Sequence, residues 1–499
     1  MTIIVIVFVT STVVIKVIHT FKWDGTEYSM LPRSIRTSNN YNNHFRKGRN
    51  KMLLKKIGAK SKDYLVLFLK TSSIHGLNHL VAPRRHICEI CLWLFVLIIS
   101  IFGSIYLSQT TWLRYQSSPT VVSMDRDMYA WNTTFPCVTI CNDQKVDPAK
   151  LEQFIQSRDV KDKGELKAFL LALANATFTS FDTIPIYKDV DPTQYLDILL
   201  SISTGFKTSL TIGALGRDLE IIPTITEMGL CYAINSKVAV YNSPNYLKAK
   251  RWDMIKDQND SLMVHPLDGE VFAHIMNLSS SYYVYVHGPL EGPDIASKYQ
   301  HSPKMFYMKI YVTAITVYTS PEAASLTIGQ RRCRFAHENN LTHFAVYSYT
   351  YCKMECRARL CLKYCKCLPY FYRAIGNEKI CDVEGLHCLA KHKDALYKLR
   401  DNRGQKISCG CLPICEDVNY VIQSNDIQEW FLGTNLQWGI ASYPRMRYRR
   451  DIIFGFTDLL VAVGGMAGLF LGCSVLSFLE IIYFLTLRLF YYTRANLSN

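Results

Sequence analysis

Charged residues are scarce in this sequence of 499 residues, at 19% of the total. Disordered chains carry more charge and fewer aromatic residues, and this chain holds 31 Tyr and 24 Phe, so we expect a folded protein. The sequence also lacks a phosphate-binding loop, a Gly-x-Ser-x-Gly elbow, a His-Glu-x-x-His helix and histidines at metal-ligand spacing. We therefore expect neither an enzyme nor a resident metal ion or other cofactor.

Two long apolar stretches are present instead. The first covers residues 88–109 and carries one charged residue, Glu89, while the second covers residues 452–487 and is interrupted by Asp458 and Glu480. Both stretches are long enough to cross a bilayer as helices and too apolar for ordinary core helices. The sequence therefore predicts two transmembrane helices.

Positive charge is concentrated before the first of these stretches. The formal net charge is +15, and residues 1–87 contribute +12 of it, with 15 Lys or Arg against three acidic residues. Such an excess beside a first span marks the cytoplasmic side. Residues 1–87 and the tail at 488–499 are then cytosolic, and residues 110–451 are extracellular. We thus expect a plasma-membrane protein that contacts lipid and binds no nucleic acid.

One further apolar segment, residues 3–18, does not fit this scheme, because Lys16 is its single charged residue. It fits a signal peptide without a basic start, a further membrane segment, or an incorrectly assigned start of the sequence. Cleavage after this segment would place the following basic residues outside, against the charge rule. The sequence leaves these alternatives open.

The cysteines agree with an extracellular segment between the spans. Of 17 cysteines, 14 lie in this segment, where an oxidising environment permits disulfides. Zinc is the alternative for the two Cys-x-Cys pairs, Cys365/Cys367 and Cys409/Cys411. Zinc sites prefer Cys-x2-Cys spacing, so disulfides are favoured.

The same segment carries potential glycosylation sites and a mixture of secondary-structure patterns. Residues 282–286 and 308–317 are rich in β-branched and aromatic residues and predict strands, whereas residues 166–173 and 351–364 predict helices. We expect an α+β membrane protein in which two transmembrane helices flank a large disulfide-rich domain with a mixed β-sheet core and peripheral helices. The Asn-x-Ser/Thr triplets, each common by chance, are at Asn132, Asn175, Asn259, Asn277 and Asn340.

Four patterns then occur in a fixed order along the chain. Residues 71–76 end in His-Gly, residues 135–142 read Phe-Pro-Cys-Val-Thr-Ile-Cys-Asn, a cysteine block covers 333–415, and residues 464–474 read Gly-Gly-Met-Ala-Gly-Leu-Phe-Leu-Gly-Cys-Ser. Together they resemble the degenerin/epithelial sodium channel (amiloride-sensitive sodium channel) family over roughly residues 63–492. The stretches at residues 115–119 and 449–451 are most similar to the insect pickpocket-type branch.

The resemblance implies a subunit of a trimeric, non-voltage-gated channel that selects sodium as the permeant ion and is blocked by amiloride. The trimer would be a homomer or a heteromer with related subunits. A chemical ligand, mechanical force or protons would act on its palm, β-ball, finger, knuckle and thumb regions. The rival interpretation is a two-span cysteine-rich receptor or adhesion protein without a pore, which leaves the glycines of the second span and Glu480 unexplained.

The resemblance also implies roles for residues near both spans. His75 and Gly76 match the gating motif before the first span. Gly472, Cys473 and Ser474 match the Gly/Ser-x-Ser tract that interrupts the second span and forms the selectivity filter. In such a filter, backbone carbonyls replace the water around a cation.

Other residues of the second span receive roles in the same way. Glu480 would add a ring of carboxylates to the inner pore, the alternative being a side chain that reaches the cytosolic boundary. Val461 matches the degenerin position, where bulk holds related channels open. Gly464, Gly465 and Gly468 provide small side chains that let membrane helices approach closely.

Finally, the resemblance implies a disulfide pairing that spacing alone does not choose. Cys137 and Cys361 are left over and would pair with each other, stay free, or bond between subunits. The expected ladder braces a helical pair in a thumb-like region. The implied pairs are Cys141–Cys231, Cys333–Cys415, Cys352–Cys411, Cys356–Cys409, Cys365–Cys388 and Cys367–Cys381.

Overall fold

The computed structural model describes residues 62–160, 162–206, 208–212, 219–249, 261–401 and 403–497. The chain forms two compact units, the first from residues up to Ile101 together with those from Gly468 onward, and the second from Phe102–Ala467. The apolar segment at residues 3–18 and the glycosylation triplet at Asn259 lie outside the described residues.

The helices are numbered here in chain order. They are α1 (residues 62–71), α2 (Ile87–Ser117), α3 (Pro148–Ser157), α4 (Lys163–Asn175), α5 (Tyr195–Ser201), α6 (Pro244–Ala249), α7 (Pro321–Ala324), α8 (Ile328–Arg331), α9 (Tyr349–Cys365), α10 (Val383–Lys391), α11 (Lys393–Lys398), α12 (Phe456–Leu471), α13 (Val475–Tyr483) and α14 (Leu489–Leu497). A π-helical turn, Phe484–Arg488, joins the last two.

The strands are numbered in the same way. They are β1 (Thr120–Asp125), β2 (Thr133–Thr134), β3 (Cys137–Asn142), β4 (Ser209–Ile212), β5 (Ile221–Thr226), β6 (Gly229–Ile234), β7 (Met263–Val264), β8 (Val271–Leu278), β9 (Tyr282–His287), β10 (Gln300–Ser302), β11 (Phe306–Thr319), β12 (Asp417–Glu429), β13 (Thr434–Ile440) and β14 (Arg447–Ile452).

Among the described residues, the strands form three sheets. The largest has the order β1-β14-β11-β13-β8-β4, and β12 is a seventh strand that also pairs with β11. A second sheet has the order β10-β9-β3-β6-β5, and in the third β2 pairs with β7. Because β11 is parallel to β13 and β14 but antiparallel to β12, the large sheet is mixed. The two predicted strands lie within β9 and β11, which confirms both predictions.

The core of the large sheet follows from the alternation of side chains along β11. Met308, Ile310, Val312 and Ala314 are buried, and the residues between them are more exposed. Successive side chains of a strand point to opposite faces, so this pattern packs one face of β11 against the core. Trp438 of β13 completes that core and donates a hydrogen bond from its indole N–H to the Pro136 carbonyl at 3.0 Å.

The second core of this unit is built from helices and cysteine-rich loops. In α4, the buried residues Leu166, Phe169, Leu170 and Leu173 recur every three or four positions and therefore share one helix face. The helix begins at Asp162, whose carboxylate accepts hydrogen bonds from two backbone N–H groups of the first turn. The helices predicted at residues 166–173 and 351–364 lie within α4 and α9, so both predictions are confirmed.

The first apolar stretch forms a helix longer than the predicted membrane segment. Helix α2 has 31 residues and contains all of residues 88–109. It continues to Ser117 because the next chain breaker is Pro119, which disfavours helical backbone in the residue before it. In length and composition, α2 is one of two described helices able to span a membrane, and the other is Val475–Ala495.

The second apolar stretch, predicted to form the pore-lining span at residues 452–487, differs from that prediction at its start. Ile452 ends strand β14, where it pairs with Thr120, and the helical region begins at Phe456. The helix stops at Leu471 and a new one starts at Val475. The interruption falls on the Gly-Cys-Ser tract, as the resemblance implies.

The described residues contain six disulfides, and their pairs are those that the resemblance implies. They are Cys141–Cys231, Cys333–Cys415, Cys352–Cys411, Cys356–Cys409, Cys365–Cys388 and Cys367–Cys381.

The expected helical pair is only partly present. Cys365–Cys388 joins α9 to α10, but Cys409 and Cys411 lie in a segment without helix. Gly410 in that segment has a φ of 67°, and Pro413 lacks the backbone N–H that a helix interior needs. The ladder therefore fastens one helix mainly to an irregular strand-like segment.

The two remaining cysteines of the second unit are unpaired and buried. Cys137 lies in β3, where its thiol donates to the Asn235 carbonyl oxygen at 2.8 Å, and Cys361 lies in α9. Both side chains are fully buried, and burial raises the pKa of both thiols. Of the three alternatives for these residues, the structure therefore shows free thiols within one chain.

Candidate pore and gating site

The interruption of the second apolar stretch has its own stop and start. Gly472 has a φ of 62°, in the left-handed region, and its N–H still bonds to the Gly468 carbonyl at 2.9 Å. Ser474 then caps α13, since its side chain accepts a hydrogen bond from the Ser477 N–H, and the Ser477 side chain accepts one from the Ser474 N–H. These local bonds turn the tract into a defined break between two helices.

The loop before the first span docks onto this break. The N–H of His75 donates to the Leu471 carbonyl at 3.0 Å, and the Ser73 hydroxyl bonds to the Ser477 hydroxyl at 2.9 Å. The Ser73 N–H donates to Glu480 Oε2 at 3.1 Å. The structure thus brings the predicted gating motif together with the predicted filter and Glu480, which lie about 400 residues further along the chain.

His75 and Gly472 approach each other closely. A Cβ atom added to Gly472 would overlap the imidazole ring of His75. Because the positive φ of Gly472 also disfavours any residue with a Cβ, two separate constraints require glycine at this position. Gly76, with a φ of 91°, provides the corresponding turn in the docked loop.

Glu480 is a carboxylate in an otherwise largely apolar helix, and the docked loop supplies a hydrogen bond to it. Its side chain is partly buried and accepts the hydrogen bond from Ser73 described above. Ionisable groups at membrane depth are costly unless they face water or a partner. Within this chain, the partner is a backbone N–H of the docked loop.

Ser73 and Ser477 received no role from the sequence, although Ser73 belongs to one of the four patterns and Ser477 follows another by three residues. Ser477 is 3% exposed in a helix whose other residues, apart from Glu480 and Tyr483, are apolar. A lone small polar residue inside such a helix is a weak indication that it has a hydrogen-bond partner, because an unpaired hydroxyl there is unfavourable. Only the tertiary structure identifies that partner as Ser73.

The remaining predicted residues of α12 have few neighbours within the chain. Val461 is 71% exposed. Added Cβ atoms at Gly464 and Gly465 would find open space, and one at Gly468 would make an ordinary contact with the Cys473 carbonyl. Within the described residues, Gly464 and Gly465 therefore border open space.

Comparison with known proteins decides the family. The family model described as "Amiloride-sensitive sodium channel" matches residues 68–484. This chain belongs to the amiloride-sensitive sodium channel family. The family consists of ion channels rather than enzymes, and with two helices able to span a membrane, the chain is a two-span membrane protein of this family.

Individual relatives agree with this assignment. Sodium channel protein Nach of Drosophila ananassae is 23% identical over 463 residues, covering 85% of this chain and 86% of the relative. Pickpocket protein 28 of Drosophila melanogaster is 22% identical, covering 86% and 79%. Acid-sensing ion channel 1C of Danio rerio is 24% identical, covering 84% and 83%. The predicted likeness to insect pickpocket proteins is therefore confirmed.

The second unit of the chain contains a buried histidine that lies between two carboxylates. His343 is 5% exposed, its Nδ1 lies 2.9 Å from Glu355 Oε2, and its Nε2 lies 3.1 Å from Glu378 Oε2. A neutral imidazole donates from only one nitrogen, so two carboxylate partners favour the cation. Although burial lowers the pKa of His343, the bonds to these carboxylates raise it above its ordinary value.

Replacing His343 by Gln should reduce the loss of stability that the protein undergoes as the pH rises above neutrality. A raised histidine pKa adds stability below the pKa of the unfolded chain, and this stability is lost as the pH rises through the higher folded value. We therefore expect the melting temperature of the wild type to fall more steeply than that of His343→Gln between pH 6 and pH 9. Thermal unfolding of the purified chain in detergent measures this difference.

An acidic limit applies to the same cluster. Burial acts to raise the pKa of Glu355, but hydrogen bonds from His343 hold it at about 2. The contribution of Glu355 is thus present above the pKa of an unfolded glutamate and is lost only in strong acid. His387→Gln is the control, because among the described residues the hydrogen-bond partner of the His387 ring is a backbone carbonyl, that of Ile184, and not a carboxylate. Parallel pH profiles for wild type and His343→Gln would contradict the assignment.

Proposed function

We propose that this chain is a subunit of a trimeric, non-voltage-gated, sodium-selective cation channel of the plasma membrane. The observation that carries the proposal is the break at Gly472–Ser474, with the His75 loop docked against it. In a trimer, three such breaks would face one axis, and their carbonyl groups would replace water around a sodium ion. The trimer is a homomer or includes related subunits.

The proposed topology places both termini in the cytosol and residues 110–451 outside. The six disulfides support this placement, because disulfides persist in an oxidising environment. The four potential glycosylation sites within the described residues are all exposed, as attachment of a glycan requires. They are Asn132, Asn175, Asn277 and Asn340.

Gating through the extracellular domain by a chemical ligand, force or protons completes the proposal. In the second unit, β1 pairs with β14 along its whole length, and the N–H groups of Ile453 and Phe454 both bond to the Pro119 carbonyl. The chain just after α2 is thereby tied to the chain just before α12. A movement of the sheet would act on both connections together.

Replacing Val461 by Phe should produce a standing sodium current that amiloride blocks. Val461 is exposed at the proposed degenerin position, so a bulky side chain there would meet the neighbouring helices of the trimer and hold the pore open. We expect a standing current at least severalfold above that of the wild type. The measurement is two-electrode recording in oocytes, with a related subunit co-expressed.

Two further variants connect such a current to this chain. Val461→Ala keeps a small residue and should show no standing current. In the Val461→Phe background, Cd²⁺ should block the current through the Cys473 thiol, and Cys473→Ser should remove the block. If Val461→Phe reaches the cell surface with every partner tested and never conducts, the pore assignment is wrong and the receptor without a pore is favoured.

A further inference from the structure

A small open cavity lies in the second unit where α5 meets the β5–β6 hairpin and the end of α4. Its wall on the α5 side consists of Leu196, Leu199 and Leu200, which share one helix face and are only half buried. Leu230 of β6 and the buried Tyr370 close the other sides. The cavity therefore offers apolar surface that this chain leaves partly open to solvent.

Lys145 is the charged residue in the lining of this cavity. Its Nζ atom would lie 3.8 Å from a Cβ added to Gly229, which places the ammonium group beside the hairpin. In the part of the chain that the structure describes, Lys145 forms no salt bridge, and Asp143 acts on it only as a more distant charge. Burial lowers the pKa of Lys145 to about 8. The ammonium is thus half removed from water without a counterion.

We propose that this cavity binds a short-chain carboxylate such as butyrate. The carboxylate would bond to Lys145 Nζ, and the alkyl tail would cover Leu196, Leu199 and Leu200. A charge-assisted hydrogen bond supplies the partner that a desolvated ammonium lacks. An apolar wall with one convergent charge is the usual composition of a small-molecule site. An uncharged amide of the same shape would lose the charge-assisted bond to Lys145. An inorganic anion would keep that bond and lose the apolar contact with the leucines.

The position of the cavity connects binding to the rest of the domain. Tyr370 in its wall donates a hydrogen bond to the Leu173 carbonyl of α4 at 2.9 Å. The β5–β6 hairpin beside it holds Cys231, which is bonded to Cys141 of β3. A bound carboxylate would therefore contact α5, the β5–β6 hairpin and the segment that carries Tyr370. This inference adds a ligand class to the proposed function, but binding itself does not depend on conduction.

The test is direct binding to the purified full chain in detergent, with no current recorded. Fluorine NMR of 4,4,4-trifluorobutyrate reports binding through line broadening, and unlabelled butyrate and butyramide serve as competitors. We expect saturable binding to wild type and at least tenfold weaker binding to Lys145→Met and to Leu199→Trp, which fills the cavity. Lys145→Arg keeps a cation and should retain binding. Lys188→Met, at a lysine that is 77% exposed, should bind as wild type.

Two further comparisons separate the contributions. Butyramide should compete at least tenfold less well than butyrate. Raising the pH from 7 to 9 should weaken butyrate binding about tenfold, because Lys145 then loses its proton. Wild-type affinity in Lys145→Met or Leu199→Trp, equal competition by butyramide, equal loss in Lys188→Met, or no binding to the wild type would each overturn the proposal. A channel that conducts without binding would leave only the proposed function standing.

Discussion

Replacing Gly472 by Ala should reduce the channel current at least about tenfold while the protein still reaches the cell surface. Alanine in the left-handed conformation costs about 1–2 kcal/mol, and its Cβ would also overlap the His75 ring. The docked loop and the break therefore cannot both keep their geometry. A cost of about 1.4 kcal/mol corresponds to a tenfold change in an equilibrium, which sets the size of the expected loss. Recording in oocytes together with surface labelling measures both quantities.

Gly455→Ala is the matched control for this prediction and should conduct as the wild type does. At Gly455 an added Cβ would make ordinary contacts with Asp458 and Ile452, and the backbone lies outside the left-handed region. The double variant His75→Ala/Gly472→Ala removes the overlap but keeps the positive φ, so it should recover part of the current. Wild-type current in Gly472→Ala would mean that the break is not the filter.

Replacing Arg357 by Met should destabilise the second unit by about 3–5 kcal/mol, because two buried carboxylates lose the guanidinium group that bonds to both of them. Arg357 is 1% exposed and lies in α9, where Nη1 bonds to Glu227 Oε2 at 3.0 Å and Nη2 bonds to Asp294 Oδ2 at 2.8 Å. The Tyr372 hydroxyl also donates to Glu227. Although burial raises the pKa of Asp294, Arg357 and Lys353 hold it below its ordinary value.

The melting temperature of the purified chain should therefore fall by about 10 °C in Arg357→Met. Arg359→Met is the matched control on the same helix, since Arg359 is 60% exposed and its ion pair with Glu355 contributes little. Adding Glu227→Gln to Arg357→Met removes one stranded charge and should restore part of the loss. An unchanged melting temperature in Arg357→Met would show that the buried cluster contributes nothing to stability.

This buried cluster also shows what sequence reasoning misses. Nothing near Glu227, Asp294 or Arg357 in the chain indicates that the three side chains meet, because they lie 63 to 130 residues apart. Their burial results from the packing of α9 against the loops that follow β5 and β9. The sequence likewise does not indicate that His343 meets Glu378, or that Lys145 lines a cavity beside leucines of α5. Pairing across such distances depends on the path of the whole chain.

Local patterns, in contrast, were sufficient for the elements themselves. The β-branched and aromatic residues at 308–317 predict β11, and the helical spacing in residues 166–173 predicts α4, because both signals depend on residues close together in the chain. The predicted bounds of the second span, 452–487, differ from the structure at their start, because Ile452 ends β14 and the helical region begins at Phe456. The break within the span was implied by the family resemblance alone. Hydropathy reports only that a segment is apolar and does not register the left-handed turn at Gly472.

The sequence by itself therefore determined the family, the two apolar spans and the concentration of net positive charge in the N-terminal region. These features depend on composition and on the order of short motifs along the chain, and neither requires knowing which distant residues meet. Only the tertiary structure decided which groups meet. It placed Ser73 on Ser477 and Glu480, set the His75 ring against Gly472, and left Cys137 and Cys361 as separate buried thiols. The physical reason is that such contacts join residues distant in the chain, and short-range order alone does not specify them.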